Sequence, residues 1–129
     1  MRIILKSPAE IQKMRASGLL VHDLLEELRA MVKPGVTTLD LERYAERRIN
    51  QAGAKPAFKG YRDFPATLCT SVNHEIIHGI PSAKRVLREG DILKIDTGVI
   101  LDGYYGDSAT TVAVGKIAPE KQTDRKSVV

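Results

Sequence analysis

The stretch DILKIDTGVILDGYYGDSATTVAV (91–114) decides the fold. Residues 91–100 and 104–114 are rich in β-branched and aromatic side chains and read as two strands. Between them Asp102-Gly103 is a strong short-range hairpin signal, because both positions of a two-residue loop need positive φ. A two-residue loop fixes the register and sets Asp107 opposite Gly98. Asp96 lies two residues from Gly98, so both carboxylates fall on one face of the sheet. Diagonal same-face neighbours sit about 7 Å apart. A bulge near Gly106 would break this register.

Two carboxylates aimed at one spot repel unless a cation lies between them. One divalent ion, or a pair about 3.5–4 Å apart, meets that need. The plain alternative is two aspartates facing solvent near a turn, although Asp is depleted in strand interiors. A second metal motif competes with the first. His74-Glu75-Ile76-Ile77-His78 matches the zincin signature H-E-x-x-H. That motif needs a helix to put both imidazoles on one face. Here Ile76 and Ile77 are β-branched, Gly79 and Pro81 follow, and Leu68–Val72 upstream favours a strand. In a strand-like segment positions 74 and 78 would stand about 13 Å apart. His78, next to Gly79 and before Ile80-Pro81, sits where a sharp turn could present a catalytic imidazole.

Upstream, residues 7–33 read as an amphipathic helix opened by a Ser7–Glu10 capping box with Pro8 at its first position. Its apolar stripe is Ile11, Met14, Gly18, Val21, Leu25, Leu28 and Val32, and Lys33-Pro34-Gly35 stops it. Residues 38–52 read as a second helix, capped by Thr37 with Asp40 three residues on, with Leu41, Ala45, Ile49 and Ala52 facing inward and Gly53 ending it. Glu42, Arg43, Glu46, Arg47 and Arg48 read as its solvated face. Residues 53–65 are loop-rich, and Phe58, Tyr61 and Phe64 recur there at steps of three, as pocket-lining or clamping aromatics. Residues 67–72 form a further strand, in which Cys69 is a small buried or pocket-lining residue, not a reactive thiolate. Two helices followed by strands, without βαβ alternation, predict an α/β protein in the α+β arrangement: an antiparallel sheet backed by two helices.

The composition narrows the function. The chain has 129 residues, 43% hydrophobic and 28% charged, with a formal net charge of +4. Such values suit a folded domain and exclude a low-complexity chain. Aromatics at 5% and no Trp argue against a stacking surface for single strands, so no specific nucleic acid is expected. One cysteine excludes an internal disulfide framework and fits a reducing compartment. No apolar run is long enough for a membrane span or a signal-peptide core, so the expected location is the cytoplasm.

The segments PAEIQKMRASGLLV (8–21), FKGYRDFPATLCTSVN (58–73), SVNHEIIHGIPS (71–82) and GDILKIDTGVILDGYYGDSATTVAVG (90–115) together resemble type I methionine aminopeptidase of the bacterial kind, over about residues 1–117. The resemblance implies the N-terminal half of a pita-bread fold, built of two pseudo-symmetric halves. It implies removal of the initiator methionine from nascent polypeptide N-termini by a dinuclear centre of Co, Mn, Fe or Zn. Asp96 matches one metal aspartate and Asp107 the aspartate bridging the ions. His78 matches the imidazole that contacts substrate at the scissile peptide. Tyr61, Phe64 and Cys69, with Phe58, match the pocket for the methionine side chain. His74 and Glu75 match no ligand. The resemblance also implies a monomer that associates transiently with the ribosome.

One His and two Glu ligands of the family belong to its second half, beyond this sequence. Residues 118–129 are therefore expected to be a truncated end with a non-native tail, DRKSVV (124–129), and the 129-residue polypeptide by itself is expected to be inactive. Two other functions stay open: a non-catalytic peptide-binding pita-bread module, and the zincin peptidase. Intact Asp96 and Asp107 weigh against the first, and the poor helix over 74–78 against the second.

Overall fold

A computed structural model of the chain describes residues 7–74 and 79–115. Its elements run α1 (Pro8–Met31), α2 (Thr38–Gln51), β1 (Lys55–Pro56), a single 3-10 turn at Tyr61–Asp63, β2 (Leu68–Val72), β3 (Ile92–Leu101) and β4 (Tyr104–Ala113). All pairings are antiparallel. β4 takes the whole of one edge of β3, and β1 and β2 take successive parts of the other. The four strands and two helices form the α+β arrangement that the sequence predicts.

The hairpin has the expected register. Asp102 (φ 52°) and Gly103 (φ 83°) form the two-residue loop. Gly98 pairs with Asp107, Asp96 with Ala109, and no bulge interrupts the ladder at Gly106. Alternation then splits β3 into two faces. Leu93, Ile95, Thr97 and Val99 are buried under the helices. Lys94, Asp96 and Gly98 point to the other side.

α1 reaches the inner face through Ser17, Leu20, Val21, Leu24, Leu25 and Leu28. It approaches β4 closely at Gly106, where a Cβ would lie 2.8 Å from the Ser17 backbone. The Ser17 hydroxyl donates to the Tyr104 carbonyl at 2.9 Å, tying helix to strand at the same spot. The expected stripe needs correction at its start. Ile11, Met14 and Gly18 are exposed: at this end α1 meets β4 through polar side chains, with the Tyr104 hydroxyl donating to Glu10 at 3.3 Å, and buried side chains begin only at Ser17. Both capping boxes are present.

A second correction concerns α2. Glu42 does not belong to a solvated face: it is buried, and its carboxylate accepts from the Thr67 amide at 2.9 Å and the Leu68 amide at 2.8 Å. It satisfies the first donors of β2, whose strand starts at Leu68 and not at 67. Leu41, Ala45 and Ile49 occupy the core as expected. Among the described residues, no helix is long and apolar enough to cross a membrane.

Candidate active site

The face of the sheet turned away from the helices carries the chemistry. Cys69 on β2 pairs with Asp96 on β3, which pairs with Ala109 on β4. Asp107 stands one non-adjacent step along, opposite Gly98, and is exposed. Residues directly paired in an antiparallel ladder share a face, so Cys69, Asp96, Gly98 and Asp107 lie on one surface.

The chain between β1 and β2 folds over that surface. The Ala57 amide donates to the Gly98 carbonyl at 2.9 Å, and the loop then brings the Phe58 ring onto Gly98. A Cβ at Gly98 would lie 3.1 Å from that ring, so the glycine leaves room for the aromatic. The 3-10 turn follows, with Arg62 and Asp63 both at positive φ. Gly60 and Pro65 confine it to three residues. The result is a cavity of about 370 Å³ lined by Phe58, Tyr61, Arg62, Phe64, Cys69 and Asp96.

This cavity gathers the three loop aromatics, Cys69 and Asp96, which the sequence marks separately. It also contains Arg62, which sequence reasoning missed; the alternation of aromatics drew attention to its neighbours instead. Burial pushes the Cys69 thiol above its usual range, a hydrogen bond with the Gly79 backbone opposes this, and the Asp96 charge adds to the rise. A thiol held protonated suits a pocket wall better than a nucleophile.

β2 is held on both sides. Glu42 caps its start, and the Thr70 amide donates to the Gly79 carbonyl at 2.9 Å. Gly79 packs so closely that a Cβ there would overlap the Thr70 carbonyl oxygen at 1.4 Å. Any other residue would push the chain off β2. His78 itself, with Glu75, Ile76 and Ile77, lies outside the described residues. The first zincin histidine, His74, is exposed in a turn that begins at Asn73 (φ 58°), not in a helix. Residues 118–129 are also outside the described part.

Asp96 and Asp107 carry hard carboxylate oxygens, the donor type that divalent cations take, on ladder positions about 7–8 Å apart. Among the described residues, no group of three or more His, Cys, Asp or Glu side chains could complete a metal site.

The sequence profile of Metallopeptidase family M24 matches residues 12–128. The chain belongs to this metallopeptidase family. An M24 metallopeptidase implies divalent metal ions. Methionine aminopeptidase of Clostridium acetobutylicum is 54% identical over 118 residues, which are 92% of this chain and 47% of that protein. That of Aquifex aeolicus is 47% identical, over 95% of this chain and 50% of that protein. The crystal structure of methionine aminopeptidase from Rickettsia prowazekii superposes with a TM-score of 0.91 at 39% identity, over 97% of this chain and 50% of that one. Escherichia coli aminopeptidase P shares the fold more distantly, with a TM-score of 0.76 at 25% identity, over 91% of this chain and 26% of that one. This M24 chain thus has the architecture of one half of a pita-bread enzyme, and spans about half the length of the curated relatives it matches.

Proposed function

We propose that residues 1–117 are the N-terminal part of the catalytic domain of a methionine aminopeptidase, which hydrolyses the first peptide bond of nascent polypeptides. The observation that carries this is the cavity of Phe58, Tyr61, Phe64 and Cys69 opening beside Asp96 on the face of the sheet turned away from the helices. An unbranched thioether side chain fits a pocket of aromatic edges and sulfur, where its polarisable atom gains contact that a branched aliphatic would not. Asp96 and Asp107 would hold two divalent ions, of Co, Mn, Fe or Zn, with ligands from the second half. When bound, such ions supply Lewis acidity and lower the pKa of water.

The chain's own residues do the positioning. Phe58, Tyr61 and Phe64 hold the methionine side chain, so the first carbonyl lies over the aspartate pair. His78 contacts the substrate at the scissile peptide, and the Gly79 clamp on β2 fixes the residue that follows it. The protein works as a monomer in the cytoplasm, with transient contact to the ribosome that supplies its substrates.

The test is hydrolysis of a Met-Ala-Ser peptide with added Co²⁺ or Mn²⁺. A protein continuing this chain to the length of its relatives is expected to release methionine, and the 129-residue polypeptide by itself is not. Robust turnover by the short chain, abolished by Asp96→Ala, would show that the residues described suffice.

A further inference from the structure

The cavity has one cationic wall. Arg62 lines it together with Asp96 and the aromatics, on the exposed 3-10 turn. Its guanidinium carbon sits 5.4 Å from the centroid of the Tyr61 ring, a range where a cation is drawn to the ring face. Its backbone is left-handed (φ 48°, ψ 41°), and so is that of Asp63 (φ 63°). Such residues cost stability unless the surroundings hold them, and they cluster at ligand-binding positions.

The other basic side chain of this loop behaves differently. Lys59 is neutralised by Glu46 at 2.8 Å. Among the described residues, no carboxylate lies within ion-pair distance of Arg62. A peptide whose first side chain filled the cavity and whose chain left it on this side would carry its next residues past Arg62. The guanidinium then meets whatever charge the next few residues carry.

We propose that Arg62 is a specificity-determining residue, favouring peptides with a carboxylate within a few residues after the N-terminal methionine and disfavouring those with a lysine there. The inference rests on the aminopeptidase reading and deepens it. Because the rim is exposed, the attraction is modest and screened by salt, with a reach of about 8 Å at physiological ionic strength. A preference of about two- to five-fold is the expected scale.

The experiment compares kcat/KM for Met-Ala-Glu-Ser and Met-Ala-Lys-Ser, with Met-Ala-Ser-Ser as the uncharged reference. The protein is this chain continued to the length of its relatives, as wild type, Arg62→Lys, Arg62→Ala and Arg62→Glu. The Glu/Lys ratio should exceed one in the wild type, persist in Arg62→Lys, fall toward one in Arg62→Ala and invert in Arg62→Glu. The change should sit mainly in KM and shrink at high salt. A ratio that is the same in wild type, Arg62→Ala and Arg62→Glu overturns the role of Arg62 and leaves the aminopeptidase reading standing. No turnover of any of the three peptides by the wild type overturns both.

Discussion

The two faces of β3 differ in everything but backbone. Ile95 and Asp96 are neighbours, yet one is fully buried against the helices and the other lines the candidate active site. The inner face is closed by apolar contact and by the tight approach of α1 at Gly106. The outer face carries Cys69, Asp96, Gly98 and Asp107 and, among the described residues, is roofed by the loop that brings Phe58, Tyr61 and Phe64 over it. One strand with a period of two can therefore serve stability and chemistry independently. Damage to one face should leave the other's property largely intact.

That separation is open to attack. Ile95→Ala removes a buried side chain from the inner face and should cost about 2–5 kcal/mol in denaturant unfolding. Asp107→Asn, on the outer face, should stay within about 0.5 kcal/mol of wild type. Equal losses for the two would end the distinction. Glu42→Ala should cost about 1–3 kcal/mol, because it strands the Thr67 and Leu68 amides at the start of β2. A neutral result in the same unfolding assay would show that those donors find water.

Gly98→Ala links the faces to the roof. The added methyl meets the Phe58 ring at 3.1 Å. It should raise KM for methionine peptides a few-fold while leaving the melting temperature almost unchanged. A fall in stability with KM unaltered would place the strain in the sheet instead of the pocket.

The smallest effect concerns acid. The Thr37 amide and hydroxyl, bonded to Asp40 at the start of α2, hold its carboxyl below the usual range. A depressed carboxyl contributes stability above its unfolded pKa of about 3.9, and loses it as pH falls through the lower folded value. As pH falls below about 4, the wild type should therefore lose stability more steeply than Asp40→Asn, as followed by urea unfolding.

Local signals carried much of this molecule. Asp102-Gly103 fixes the turn, the turn fixes the register, and the register puts Asp96 and Asp107 on one face. Both capping boxes are readable because they close within four residues. What was illegible depends on contacts distant in sequence. Glu42 looks like any surface acid on a helix; its partners lie 25 and 26 residues away. Ile11 and Met14 fit the helical period, but at that end α1 meets β4 through Glu10 and Lys13 on Tyr104, not through its apolar stripe. The spacing of Phe58, Tyr61 and Phe64 hints at a pocket, yet only the fold brings them to Cys69 and Asp96 and adds Arg62.

The most direct test is a calorimetric titration with Mn²⁺ of the protein continued to its relatives' length, as wild type, Asp107→Asn and His74→Ala. Loss of a metal ligand exceeds the 10- to 100-fold typical of groups that only orient ligands, so Asp107→Asn should weaken binding by more than about 100-fold. His74→Ala should bind as the wild type does. Binding lost in His74→Ala and kept in Asp107→Asn would contradict the assignment of the aspartate pair and favour the zincin motif.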